Sequence, residues 1–394
     1  MFFDAVPEGP PDPIFGLTGA FKADPRPNKV DLLVGIYKNE KLEPELLPAV
    51  KKAKEQIFAN DLLADYLPID GLGEFVDRIG ALAFGKLWKE SHSKIYAAQS
   101  VGGTGALRVG GEFIFQEITK QAFVPNPTWP NHRMLLERVG FQVESYVYYD
   151  KKRHGFDFDG MIADLNRCPE KSCVMLHAAC HNPSGCDPSE SEWREISRVI
   201  LRKRLLPFFD FAYQGLGEGL EKDRKAIEIF MNDGHEMAIA YSCSKNFSLY
   251  CQRTGALFIV GSNAAVKGRI GSQIKRIIRT LYSNPPAHGA RIAAHVLANE
   301  GLRKEWEREL EAMRSRIQST REELVKKLTK HNPHFSYLSG HKGMFSFADL
   351  DKSQVQRLIS EFAIYLIDNG RISIPGINRQ NIDSIADSIL KVCE

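Results

Sequence analysis

The sequence predicts an α/β fold: a mostly parallel sheet covered by helices on both faces, with a smaller α+β domain after it. Three observations carry this. Between about residues 95 and 260, short apolar runs alternate with polar segments of helical period, the pattern of strands joined by crossover helices. "LRKEWERELEAMRSRIQSTREELVKKLTKH" (302–331) is one long, charged, amphipathic segment, a helix able to run between two domains. Beyond it, "GMFSFADL", a helix near 353–362 and "GRISIPG" are short and mixed, which suits a small α+β unit. At 394 residues the chain also exceeds what a single core usually serves.

The elements follow in order. The first 30 residues, with "PEGPPDP" and "KADPRPNK", are rich in Pro, Gly, Asp and Lys. They read as an arm that needs another surface, such as a second subunit, to become ordered. "VDLLVGIY" (30–37) reads as a short strand. "LPAVKKAKEQIFAN" (47–60) reads as a helix, with apolar residues 50, 53, 57 and 58 at about the helical spacing. "AFVPNP" (122–127), "SYVYY" (145–149), "SCVMLHA" (172–178), "LLPFFDF" (205–211), "MAIAYS" (237–242) and "GALFIV" (255–260) read as strands, with helices such as "ESEWREISRVILRKR" (190–204) between them. There is no internal repeat.

Composition excludes several classes. Lysine plus arginine number 52 and aspartate plus glutamate 49, a net charge of +3. With no long run of like charge, nothing points to nucleic acid or a membrane surface. The seven cysteines (168, 173, 180, 186, 243, 251, 393) are odd in number and lack CxxC spacing, which argues against zinc ribbons and disulfide frameworks and for a reducing compartment. No apolar run approaches the ~20 residues of a membrane span. "MFFDAVPEGPPDPIFG" carries acids and prolines where a leader would be basic and apolar. The expectation is a cytoplasmic protein.

Four segments could carry chemistry. "SVGGTGALRVGGEFIFQ" (100–116) sets Gly102, Gly103, Thr104 and Gly105 directly before an apolar-periodic helix. Backbone N–H groups exposed by glycine at a helix start form an anion site, and Thr104 adds a hydroxyl. The stretch matches neither GxxxxGK[ST] nor a clean GxGxxG, and a glycine turn without a ligand accounts for it equally well. "HAACHNPSGCDP" (177–188) sits at the carboxyl end of an apolar strand, where ligands gather in open α/β sheets, and Asn182 offers an amide there. His177, Cys180, His181 and Cys186 match no common zinc spacing, and a strand-end histidine is more often structural.

In "PFFDFAYQGL" (207–216), Asp210 follows an apolar run. A buried carboxylate needs a cation or several donors, although capping the next helix would also explain it. Tyr213 points to the same region. "AIAYSCSKNFSLYCQRTGALFIV" (238–260) sets Lys245 between two apolar strands, after Ser242 and Ser244 and ahead of Arg253. Taken alone it reads as a solvated loop lysine. Taken together, the segments supply a phosphate cradle, an amide donor, a buried carboxylate and a lysine at strand ends of one sheet. That set fits pyridoxal 5′-phosphate. A lysine amine can hold its aldehyde as a Schiff base, an aspartate can keep its pyridine nitrogen protonated, and a donor can meet its phenolic oxygen.

The chain also resembles a known family nearly end to end, through "DYLPIDG" (65–71), "GGTGALR", "NPTWPNH" (126–132), "HNPSG", "DFAYQG", "SCSKNFSLYCQR", "YSNPPAHGA" (282–290) and "GRISIPGI" (370–377). On these motifs it resembles the class I, fold-type I pyridoxal phosphate-dependent aminotransferases, and within them the aspartate and aromatic amino-acid aminotransferases. The resemblance implies a seven-stranded, mostly parallel sheet in a large cofactor-binding domain over 45–311. A small domain would come from 13–44 and 312–394, and an arm from 1–12. It implies Lys245 as the cofactor-linked lysine, which then carries the substrate's Cα proton. Asp210 would meet the pyridine nitrogen, with His177 behind it, and Asn182 and Tyr213 the phenolic oxygen. Trp129 would stack on the ring. Gly103, Thr104, Ser242, Ser244 and Arg253 would bind the phosphate, with Tyr66 arriving from a second subunit. Arg371 would clamp the substrate's α-carboxylate, Gly35 and Phe345 would line its pocket, and Arg279 of a second subunit would take the side-chain carboxylate. Arginine suits both clamps because its planar fork makes two hydrogen bonds to one carboxylate.

The implied reaction is ping-pong transfer of an amino group between L-aspartate or glutamate and a 2-oxo acid such as 2-oxoglutarate, in a homodimer with shared sites. The alternative is tyrosine or phenylalanine with 2-oxoglutarate. Three departures stand out: Ser184 where the family usually has threonine, Asp31 where asparagine is common, and an altered substrate-facing stretch "YKNEKLEPELLPAV" (37–50), which favours the aromatic alternative. A nicotinamide oxidoreductase built on the glycine loop leaves Lys245 and Asp210 unexplained.

Overall fold

Near-continuous apolar runs build the centre of the molecule, a computed structural model that describes residues 1–9, 13–59 and 65–394. Seven strands form one sheet: β1 (Ile95–Val101), β2 (Gln121–Asn126), β3 (Gln142–Val147), β4 (Cys173–His177), β5 (Leu206–Phe211), β6 (Met237–Ser242) and β7 (Thr254–Val260). Their order across the sheet is β1-β7-β6-β5-β4-β2-β3. All neighbours run parallel except β7, which is antiparallel to both β1 and β6. The expected mostly parallel α/β sheet is therefore present. Strands β4, β6 and β7 are buried throughout, because helices cover both faces and every side chain meets a core. Alternate residues part accordingly: Met175 and Phe208 join one cluster with the helix Gly102–Glu117, while Leu176 and Phe209 join the other with the helix Glu190–Arg202.

Two elements differ from the sequence reading. β1, "IYAAQSV", was not expected as a strand; its alanines and glutamine carry little β-propensity, and full pairing with β7 from Ile95↔Val260 to Val101↔Thr254 supplies the order. In "VDLLVGIY" only Val30–Asp31 pairs as a strand, with Ile364–Tyr365. Farther along, the carbonyls are claimed individually. Ser373 N–H donates to Leu32 O (3.1 Å), Ser373 Oγ to Val34 O (3.0 Å), and the Arg371 guanidinium to Leu33 O.

The long helix runs from Glu300 to Thr329 and buries Leu302, Trp306, Leu310, Met313, Ile317 and Leu324 among others. It also fixes the turn that carries Lys245. Trp306 stacks on Phe247 (4.5 Å between centroids), and its indole N–H donates to Asn246 O (2.7 Å). Beyond it, Phe345–Phe347 pairs antiparallel with Arg371–Ser373. The stretch 37–50 folds back on itself through a Lys38–Pro44 bridge and the Asn39 N–H to Glu43 O bond (3.0 Å). Arg316 of the long helix ties it down at Asn39 O (3.2 Å). Of the expected arm, residues 10–12 lie outside the described residues, and Met1, Phe2, Phe3 and Val6 are exposed. Among the described residues no helix is long and apolar enough to cross a membrane.

Candidate active site

A cavity of about 260 Å³ opens where β5, β6 and the start of the helix Gly102–Glu117 converge with Phe345 and Arg371. Strand ends free one side of the sheet for a ligand, as expected for an open α/β sheet.

One end of the cavity suits an anion. Gly102 has φ +67°, and a Cβ there would lie 2.7 Å from Arg253 Nη2, so glycine lets the backbone approach the guanidinium. A Cβ on Gly103 would come within 2.9 Å of Ser242 Cβ. No side chain caps this helix, which leaves its first N–H groups and the positive end of its dipole toward Thr104 and the cavity. Arg253 Nη1 donates to Tyr250 O (3.0 Å) and Ser244 Oγ (3.4 Å), and Ser244 N–H donates to Ser242 Oγ (3.2 Å).

At the centre, Asp210 ends β5 and is buried, paired in register with His177 of β4. The imidazole that touches it is nonetheless His132, with Nε2 3.0 Å from Asp210 Oδ2. His177 bonds elsewhere: its Nε2 is 3.2 Å from Thr128 Oγ1, which is 2.8 Å from His132 Nδ1. The expectation that His177 stands behind Asp210 as its donor is thus corrected to His132: the His177 ring nitrogens are engaged by Thr128 Oγ1 and the Asn182 N–H, while His132 reaches Asp210 from the helix Pro130–Val139. The ends of the chain fix its polarity. Asn182 N–H donates to His177 Nδ1 (3.5 Å) and Asp210 accepts, so the network assigns each ring one N–H, pointing along Asn182, His177, Thr128, His132, Asp210. Burial and the nearby His181 and His132 hold the His177 pKa well below its usual value. Burial alone would raise the Asp210 pKa, but the His132 hydrogen bond, with the neighbouring His132, His177 and Lys245 groups, reverses it, and the carboxyl stays below the ordinary range.

Lys245 lies in the turn between β6 and β7, with Nζ 4.8 Å from the Tyr213 ring centroid. Burial lowers its pKa; Asp210 opposes this, and Arg253 and Arg371 add to it. An amine shifted in that direction is the more nucleophilic for it. Asn182 Nδ2 donates to Tyr213 Oη (3.4 Å), and burial pushes the Tyr213 hydroxyl pKa up.

The far wall is Arg371. Its guanidinium is 2% exposed, lies 4.1 Å from the Phe345 ring centroid and donates through Nη1 to Asn182 Oδ1 (3.0 Å). Nε has no hydrogen-bond partner. Burial lowers its pKa to about 10, so the group remains charged at neutral pH. Gly35 faces the same ring; a Cβ there would meet Phe345 Cζ at 2.7 Å.

Thirteen of the sixteen site residues implied by the resemblance line this one cavity. Three do not. His177 stands behind the wall, Tyr66 is 86% exposed, and Arg279 is exposed at the end of the helix Ala264–Leu281, bonded to Ser283 Oγ. The reading missed Val34, Leu107 and Ala212 in the lining, and His132 and Thr128 behind it. The last two lay in the quoted "NPTWPNH", where His132 follows Trp129 into the first turn of the helix Pro130–Val139. Of the departures, Ser184 Oγ meets His181 Nδ1 (2.8 Å), and Asp31 accepts from Leu33 N–H (3.0 Å) and pairs with Lys38 (2.8 Å). No residue of 37–50 lines the cavity.

The donor set fits pyridoxal phosphate: an uncapped helix start with Arg253 and two serines for a phosphate, a depressed carboxyl for a ring nitrogen, and a lysine for an aldehyde. Comparisons agree. Residues 27–389 match the family described as aminotransferase class I and II. Aspartate aminotransferase from Haemophilus influenzae is 41% identical over 99% of this chain and 100% of its own. The aromatic-amino-acid aminotransferase from Burkholderia pseudomallei, solved covalently bound to pyridoxal phosphate, is 41% identical with a TM-score of 0.97 over 100% of both chains. An aromatic amino acid aminotransferase from Psychrobacter sp. B6, cocrystallised with aspartic acid, is 37% identical with a TM-score of 0.97 and the same coverage. The fold, the donor set and this full-length likeness agree that the chain belongs to the class I and II aminotransferases and is a fold-type I enzyme with pyridoxal phosphate as its cofactor.

Proposed function

We propose that the enzyme moves an amino group between L-aspartate or L-glutamate and a 2-oxo acid such as 2-oxoglutarate, in two half-reactions, as a cytoplasmic homodimer with shared sites. The observation that carries the reading is Arg371, a buried guanidinium with a free Nε on the same cavity as Lys245. Such a group selects a carboxylate, because a planar fork with one unmet donor is costly to leave unpaired in a buried site.

Bound there, pyridoxal phosphate supplies an electron sink for the charge released at Cα. The chain's own groups do the rest. Gly103, Thr104, Ser242, Ser244 and Arg253 hold the phosphate, and Tyr66 of a second subunit adds its hydroxyl. Trp129, which lines the cavity, would stack on the ring. Asp210, its pKa lowered with the help of His132, would accept from the protonated ring nitrogen. Asn182 and Tyr213 orient the phenolic oxygen, and Gly35 and Phe345 shape the space beside the substrate. Lys245 Nζ, once free, takes the Cα proton and returns it on the other side of the transfer, a positioned step worth about 10²–10⁴-fold.

The curated aspartate aminotransferase relative supports the dicarboxylate preference. Arg279, exposed and away from its own chain's cavity, suits delivery to the site of a second copy. The strand pairing of Val30–Asp31 with Ile364–Tyr365 supports a small domain from 13–44 and 312–394, apart from the large domain of 45–311 and the arm of 1–12. An aromatic preference is the second reading, favoured by the aromatic enzymes among the solved structures. Arg279→Ala separates the two. Loss of one two-pronged ion pair should lower kcat/KM for aspartate by about 10²-fold and leave tyrosine little changed. Equal effects on both substrates would remove Arg279 as the dicarboxylate selector.

A further inference from the structure

We propose that His154, His334 and Asp349 form a binding site for one divalent transition-metal ion of the zinc class, separate from the cofactor cavity, which none of them lines. Three segments distant in sequence meet here. His154 closes the hairpin formed by Tyr149–Asp150 and Gly155–Phe156, His334 opens the turn Pro333–Gly340, and Asp349 follows the strand Phe345–Phe347. The rings of His154 and His334 pack edge to face at 4.6 Å, and Tyr337 stacks on His154 at 4.4 Å. The histidine is thereby held in a fixed orientation, with its Nδ1 buried and without a hydrogen-bond partner.

The distances suit a metal better than an internal hydrogen-bond network. Asp349 Oδ2 lies 3.5 Å from His154 Nδ1 and 3.4 Å from His334 Nε2. These are separations at which His154 Nδ1 forms no hydrogen bond. They match the ligand-to-ligand spacing of about 3.4 Å that tetrahedral geometry gives for metal–ligand bonds of about 2.0–2.1 Å. All three ligand atoms fall within 4.8 Å of one another, and a small turn of the half-exposed His334 side chain would close the widest gap. Its 46% exposure and the 37% of Asp349 leave a way in from solvent. Two imidazoles and one carboxylate, with a fourth position open to water, favour zinc, cobalt or nickel over calcium and magnesium, which take oxygen. An ion there would also satisfy the orphaned nitrogen and tie the 149–156 hairpin to the segment that carries Phe345.

The test is equilibrium dialysis of chelator-treated holoenzyme against zinc sulfate, with melting temperature as a second readout. One zinc per chain and a raised melting temperature are expected, since a ligand that binds only the folded state stabilises it. His334→Ala and Asp349→Asn should each weaken uptake about tenfold or more and abolish the thermal shift, with transfer rates in zinc-free buffer unchanged as the control for folding. A double Cys251→Ser/Cys393→Ser variant should keep both signals. No uptake, uptake undiminished in both ligand variants, or uptake lost only in the cysteine variant would overturn the site.

Discussion

His132 Nε2 donates to Asp210 Oδ2 across 3.0 Å, and the donor is itself oriented through Thr128 and His177 by the backbone N–H of Asn182. One directional chain therefore joins the turn that meets Arg371 to the buried carboxylate of the cavity. Its effect is to lower the Asp210 pKa in a buried place, where burial alone would raise it.

His132→Ala should therefore raise the Asp210 pKa and move the acid limb of kcat/KM to higher pH. The loss in kcat/KM at neutral pH should be about ten- to a hundredfold, the worth of one hydrogen bond to a buried charge. His177→Ala, which loses no direct contact with Asp210, should cost less and shift the limb less. The same shift makes a stability statement: a depressed carboxyl adds stability above its ordinary value, and this is lost as pH falls through the lower folded value. pH–rate profiles of the two variants check the order; a larger effect from His177→Ala would contradict it.

Lys245 is shifted in the same direction as Asp210, but for an amine that shift is a cost. Its pKa is lowered by burial, despite Asp210, so holding the charged amine in the cofactor-free fold costs stability. Between the lowered and the ordinary value the unfolded state binds more protons, and stability rises with pH. Lys245→Met removes that burden. Without cofactor the variant should melt roughly 1–3 °C above the wild type at pH 7, and the gap should shrink toward pH 10. Calorimetry at several pH values tests this; a gap that widens with pH would refute it.

Arg371→Lys keeps the charge and discards the fork. A point charge cannot hold Asn182 Oδ1, Leu33 O and an incoming carboxylate at once. We expect kcat/KM for every amino-acid substrate to fall by about 10²-fold, with cofactor affinity unchanged. Steady-state kinetics alongside a cofactor titration would read both, and an intact kcat/KM would show that the carboxylate binds elsewhere.

The sequence made most of this visible, and the misses have physical reasons. Lys245, Asp210 and Asn182 sit beside apolar strands, so local pattern placed them at strand ends. Gly102 and Gly103 could be read as a cradle because they directly precede an apolar-periodic helix, and the structure leaves no room for a Cβ at either. His132 escaped because its partner lies 78 positions away and its role is set by ring orientation, which no spacing records. β1 escaped because its order comes from β7 and not from its own residues. The 37–50 stretch, read as substrate-facing, adds no residue to the cavity of its own chain and is held in part by Arg316 of the long helix, a long-range contact that no local spacing records.

The central claim is that Lys245 holds and releases the cofactor, and a visible absorbance spectrum tests it most directly. Purified holoenzyme should show the band of bound pyridoxal phosphate, and L-aspartate without any oxo acid should convert it stoichiometrically to the pyridoxamine form. Lys245→Ala should lack the lysine-linked band and fail to turn over. A wild-type spectrum that aspartate leaves unchanged, or a Lys245→Ala variant that still turns over, would contradict the account.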